Sequence, residues 1–195
     1  MKHSILTIAA LLTLASFAHT QSPDSDPITK YLQRSFAAVA KDLVAAVEMM
    51  PEEDFGFRPS GVAKEVRTFG AIVHHMVSVN SWVCSMGEGK PDPISALGAA
   101  PIVDKARLVG LLSDTNTRCT AYLATVTDRT LAEVVTTVSA GRQLQAGRGN
   151  AIVFAIAHSN EHYGNLVTYL RVKGLVPPAA ASQASFLSPV QKSDK

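Results

Sequence analysis

The run AIVFAIAHSNEHYGNLVTYLRVKGLVPP, from Ala151 to Pro178, limits the fold more than any other part of the chain. Its apolar residues recur at helical spacing and it is far too long for a strand, so it is expected to be a helix. The stop is also legible. Arg171 and Lys173 suit a last turn, Gly174 can take a left-handed cap, and Pro177-Pro178 prevent continuation. At about 100° per residue, Ala151, Ala155, His158, His162, Asn165 and Tyr169 fall on one stripe, the working face of the helix. His158 and His162 are one turn apart, so both imidazoles can reach a single metal ion without backbone strain. Glu161 lies about 60° to one side of His158, near enough to act behind the ligands or on a substrate. A solvated charge on the helix flank is the alternative for it.

In a chain with six histidines a single His-x-x-x-His pair is weak, so further ligands must come from elsewhere. The chain has 195 residues, 47% hydrophobic and 17% charged, which suits one globular domain with a sizeable core. A net charge of +2 with no basic run, and only 6% aromatics, argue against a nucleic-acid partner. Lys2, the apolar run Ile5 to Ala15 and the small residues Ser16 and Ala18 read as a secretory signal over residues 1–20. That run is too short for a stable membrane span, so the mature protein is expected to be secreted or periplasmic, with no membrane attachment after cleavage. Residues 21–27 form a polar linker, residues 28–178 the folded domain, and residues 179–195 a disordered tail.

Three more helices precede the last one. The first runs from Ile28 to Met50, with Leu32, Phe36, Val39, Leu43 and Val47 on one face and Pro51 beyond its end. Pro51 to Glu65, with Asp54, Gly56, Pro59 and Gly61, is a connecting loop. The second runs from about Thr68 to Met86, stopped by Gly87 and Gly89, and the third from about Asp104, a fitting N-cap, to Thr125. Glu133 to Ala140 is β-branched and Gly141 to Gly149 glycine-rich, so an extended segment or short ribbon is expected before the last helix, at about Asn150 to Lys173. Short connections between long amphipathic helices predict an all-α four-helix bundle, with its site built from inward-facing side chains.

The missing ligand is in TFGAIVHHMVSVNSWVCSMGEG. Thr68, Ile72, His75, Val79, Trp82 and Met86 share one stripe, which puts His75 on the buried face and turns His74 to the flank, in a surface or packing role. Three neutral imidazoles with one position left free make an open zinc site, and nickel or iron suit the same donors. Cys84 points away from His75, so it is not counted as a ligand. An oxidising compartment would allow it to pair with Cys119, the alternative being two buried thiols.

FGAIVHHMVSVN, followed much later by HSNEHYGNLVTYLRVKGLVPP, resembles the DinB/YfiT-like superfamily of metal-binding four-helix bundles, here in a secreted variant. The likeness covers about Ile28 to Pro178. It implies a metal held by one histidine of the second helix, His75, and by the pair His158 and His162. It also implies a choice of reactions, since members include thiol-dependent S-transferases and isomerases as well as proteins assigned as hydrolases. The thiols of the transferases are cytoplasmic, and an exported protein would not meet them. A divalent-metal-dependent hydrolase acting on a small molecule is therefore the leading expectation, with Glu161 or Asn165 orienting the nucleophile or substrate. The alternatives are a thiol-dependent transferase-like enzyme and a non-catalytic metal-binding or structural bundle, and a homodimer is a possible assembly.

Overall fold

The computed structural model describes residues 25–98, 100, 102–139 and 142–181. The expected signal, most of the linker and the tail after Ala181 lie outside the described residues. Four helices, α1 (Pro27–Met49), α2 (Phe69–Glu88), α3 (Lys105–Leu123) and α4 (Arg148–Val172), build the bundle, and a hairpin of β1 (Val134–Ser139) and β2 (Arg142–Gly147) joins α3 to α4. The strands pair antiparallel from Val134 opposite Gly147 to Ser139 opposite Arg142. Val135 and Thr137 are buried against the bundle while Val134 and Val138 face solvent, the alternation expected of a ribbon with one covered face. None of the described helices is long and apolar enough to cross a membrane.

Each helix has a local reason to begin and end. Pro27 opens α1, where a missing N–H costs nothing. Asp26, at a φ of 66°, supplies no side-chain cap of its own. The Asp128 carboxylate does so instead, accepting from the N–H groups of Thr29 at 2.7 Å and Ile28 at 3.2 Å, while Asp26 Oδ1 accepts from the Asp128 N–H at 2.8 Å. Thr68 caps α2 through the Ala71 N–H, and Asp104 caps α3 through the Arg107 N–H. The expected stop of α2 at Gly87 is early. Gly87 stays inside the helix because the Tyr122 hydroxyl crosses it, and an added Cβ would meet that oxygen at 2.5 Å. The turn to left-handed backbone comes at Gly89, φ 71°, with the Lys90 N–H returning to the Ser85 carbonyl.

The topology differs from a simple up-and-down bundle. α2 packs against α3 and α4, and α1 against the same two, so α1 and α2 are diagonal partners. The Cys84–Cys119 and Gly87–Tyr122 contacts run α2 parallel to α3, whereas Asn80–Ser159 and Arg67–Tyr169 run it antiparallel to α4. Parallel neighbours of about 30 Å need a connection that travels the length of the bundle, and residues 89–104 provide it. The expectation of short connections fails here.

Two apolar clusters fill the interior. One gathers Leu43, Val47, Met50, Phe55, Phe69, Met76, Leu108, Leu112, Leu166 and Leu170, and the other Phe36, Val83, Cys84, Cys119, Leu123 and Ile152. Each fully buried Leu or Phe contributes roughly 1.5–3 kcal/mol relative to exposure. The core face of α2 is centred on Val73, Met76, Val77, Asn80, Val83 and Cys84. The expected stripe through His75, Val79, Trp82 and Met86 is its half-buried edge, because α2 is wedged between two helices and buries more than one stripe. The domain also runs past Pro178: the Ala179 N–H donates to the Tyr163 hydroxyl at 3.0 Å, so residues 179–181, assigned to the tail, belong to the fold.

Candidate metal centre

Two hydrogen bonds set the register of α2 on α4. Asn80 Nδ2 donates to Ser159 Oγ at 2.9 Å, and further along the seam the Tyr169 hydroxyl donates to the Arg67 carbonyl just ahead of α2. That register brings His75 opposite His158 and His162. One ligating nitrogen from each of the three lies within 4.8 Å of the others. His75 Nε2 and His158 Nε2 are 3.2 Å apart. Donors at about 2.0–2.1 Å from a tetrahedral ion stand roughly 3.3 Å from one another, so this pair already has the spacing of two ligands on one ion. The rings meet edge to face, at 65° for His75 and His158, 87° for His75 and His162, and 80° for His158 and His162. The convergence is one of ring nitrogens, by their distances.

Burial sets the charge state. His158 and His162 are buried and His75 is half-buried, at the rim rather than within the core as its stripe suggested. Burial, followed by the charges of His162, His75 and Arg67, lowers the His158 pKa to about 4. His75 is lowered by burial first and then by Arg67, with Glu161 opposing. His162 is lowered by burial, with Glu161 opposing and Arg67 reinforcing. All three thus favour the neutral imidazole, the form with a lone pair for a metal.

The surroundings orient these rings. The Asn165 side-chain amide lies 3.1 Å from His162 Nδ1. Phe154, one turn before His158, stacks on its ring at 5.6 Å and 15°. His158 Nδ1 is buried without a partner among the described residues. A cavity of about 220 Å³ opens beside His162, lined by Glu65, Val66, Arg67, Ile72, Asn165 and Tyr169.

Of the candidate residues, His75, His158 and His162 come together, and Asn165 touches the cluster through His162. Glu161 is exposed; its charge reaches His75 and His162, but no hydrogen bond or ion pair involving it is seen among the described residues. His74 is buried rather than at the surface, on the side of α2 towards Arg107, so only its packing role stands. Cys84 and Cys119 are disulfide-bonded, with their α-carbons 5.6 Å apart. Sequence reasoning missed Phe154, Glu65 and Arg67. An aromatic one turn before His158 was a usable signal for Phe154. Glu65 and Arg67 precede a helix in an irregular segment, where no periodicity assigns a face.

A family model described as the DinB superfamily matches residues 35–166. Among solved structures, a DinB-like protein from Bacillus cereus ATCC 10987 is similar at 17% identity and a TM-score of 0.59, over 76% of this chain and 95% of that one. A DinB-like protein from Bacillus subtilis, YjoA, is similar at 18% identity and a TM-score of 0.56, over 74% of this chain and 92% of its own. YfiT from Bacillus subtilis, described as a probable metal-dependent hydrolase with an unusual four-helix bundle topology, is similar at 18% identity and a TM-score of 0.54, over 75% and 88%. At these identities the likeness is one of fold. No curated protein matches the chain by sequence.

Proposed function

The chain belongs to the DinB superfamily, and on that premise we propose that it is an exported, divalent-metal-dependent hydrolase whose ion is held by His75, His158 and His162. The observation that carries this reading is the convergence of three imidazole nitrogens from α2 and α4, two of them already 3.2 Å apart. YfiT, similar in fold, is described as a probable metal-dependent hydrolase, which favours the same class of reaction. Export is supported by the N-terminal signal pattern and by the Cys84–Cys119 bond, of a kind that persists in oxidising compartments.

When bound, a zinc, nickel or iron ion would supply Lewis acidity and bring the pKa of a water towards neutrality. The chain's own residues prepare for it. Burial keeps the imidazoles uncharged, so no proton has to be displaced from them near pH 7. The Asn165 Nδ2 faces His162 Nδ1 at 3.1 Å and orients that ring; turning the amide over would let its oxygen accept from Nδ1–H and leave Nε2 as the donor to a metal. Phe154 covers one face of His158 and keeps water from that side. Glu161 stands in solvent at the rim, where its carboxylate can accept a proton from water or substrate, and Asn165 can donate a hydrogen bond to a substrate carbonyl.

Metal analysis of the protein purified without an affinity tag, coupled to turnover of small p-nitrophenyl esters and anilides before and after chelation, tests the proposal. About one equivalent of metal and chelator-sensitive turnover are expected. Full metal content in His162→Ala would remove the ligand set, and an ion with no exchangeable water would remove the hydrolase.

A further inference from the structure

The cavity beside His162 holds one feature that metal binding does not use. Its wall of Glu65, Val66 and Arg67 comes from the segment just before α2, and its other side from Ile72, His162, Asn165 and Tyr169. Arg67 is the one Lys or Arg among these lining residues. Its backbone is held in place, because its carbonyl accepts the Tyr169 hydroxyl from α4. Its side chain is exposed, and among the described residues no ion pair engages its guanidinium. The electrostatic field of that guanidinium reaches all three imidazoles, where it disfavours protonation. The first turn of α2 adds the positive end of a helix dipole at the same wall. About 220 Å³ is the liquid volume of roughly seven waters, enough for a substrate of under about ten non-hydrogen atoms.

An exposed guanidinium with no ion pair among the described residues and the ring of His162, one of the three convergent imidazoles, line the same small polar cavity, and together they set a substrate's orientation. We propose that Arg67 is the anion-binding, specificity-determining residue of this site, and that the substrate is a small carboxylate. Its carboxylate is gripped by the guanidinium, and the group to be cleaved is turned towards His75, His158 and His162. The planar fork of Arg suits two parallel hydrogen bonds to a carboxylate, which a neutral substrate could not accept in the same way. Glu65, on the same rim, repels a second negative charge and restricts the substrate to one anionic end. The inference rests on the hydrolase reading for the far end of the substrate, but the anion grip itself does not need the metal.

The test uses acetate, with acetamide as its neutral counterpart, at constant ionic strength. The zinc-loaded protein is titrated and followed by the amide and arginine side-chain N–H resonances of Arg67 and by the amide of Asn165. Acetate should give saturable shifts at these positions and acetamide much smaller ones. Arg67→Gln should weaken acetate at least tenfold with zinc content unchanged, and Arg67→Lys should recover part of the loss. His158→Ala should lose zinc and keep acetate within about threefold of the parent. Acetate and acetamide behaving alike, or Arg67→Gln binding acetate as the parent does, would overturn the proposal even if zinc binds as expected. Acetate bound through Arg67 in a protein that takes up no zinc would leave the subsite standing and sink the hydrolase instead.

Discussion

α2 meets α4 and α3 along two seams, one carrying the imidazoles and the other the disulfide. Towards α4 it presents His75 and Asn80, and α4 answers with His158, Ser159 and His162, so this seam is built from groups that titrate or hydrogen-bond. Towards α3 it presents Cys84 and Gly87, and α3 answers with Cys119 and Tyr122, closed by a disulfide and close packing, with Arg118 bonding Ser81 and Glu88 alongside. Imidazoles in place of aliphatic side chains stabilise a seam poorly, because their desolvation offsets much of what their burial contributes. The lesson is a division of labour on one helix, in which the face that can do chemistry is backed by a face that holds α2 still.

Breaking the α3 seam should have the largest effect on stability. Replacing both cysteines by alanine removes a cross-link with a sequence separation of 35, worth about 3–4 kcal/mol by loop entropy, or roughly 10 °C in Tm for a domain of this size. Calorimetry should show that loss with metal stoichiometry retained; loss of metal as well would mean that the seams are coupled. Breaking the α4 seam should do the reverse. His158→Ala is expected to weaken zinc by at least about 100-fold, near 2.7 kcal/mol at 1.36 kcal/mol per decade, while the metal-free Tm changes little. A finer cut is Asn165→Leu, which leaves the ligands and removes the group beside His162 Nδ1. About tenfold weaker zinc binding is expected, read by competition with a chelating dye.

The smallest effect is a pH slope. Burial lowers the folded pKa values of His75, His158 and His162 below the ordinary 6.5, to about 4 for His158. As pH falls, the unfolded chain therefore binds protons first. The metal-free protein should hold full stability above about pH 6.5 and lose it progressively towards about pH 4, where His158 itself protonates in the fold. His74, beside α3, is lowered by burial and Arg107 and has the same sign, so the control is His158→Ala. Its Tm should fall less steeply between those limits, and an unchanged slope would remove His158 as the source.

The same two seams show what the chain reveals before it folds. Helices end where caps and glycines dictate, so α1 to α4 and the hairpin could be placed from local chemistry, and one-turn spacing sufficed to pair His158 with His162. Angle and the resemblance both favoured His75 over His74 as the ligand, but angle misjudged their burial, since His74 is the buried one and His75 is half-buried. Angle did not give the centre of the buried face of α2, because a helix held between two neighbours buries two overlapping stripes, and periodicity records only their sum. The diagonal placement of α1 and α2 and the closeness of Arg67 to the imidazoles depend on contacts between residues distant in sequence. Cys84 and Cys119 lay between these cases: their chemistry was plain, but their approach was a matter of packing.

The Asp128 carboxylate, which accepts from the Ile28 and Thr29 N–H groups, and Asp26, which accepts from the Asp128 N–H, fix the start of α1 against the bundle. That point sits at the end where α3 finishes, since Gln33 beside it bonds the Leu123 carbonyl. Counting back along α2 and α4, the imidazoles lie about 15–20 Å away. The start of α1 therefore lies at the pole opposite the Arg67 cavity, so a support that grips the bundle at that pole would leave the mouth of the cavity facing free solution.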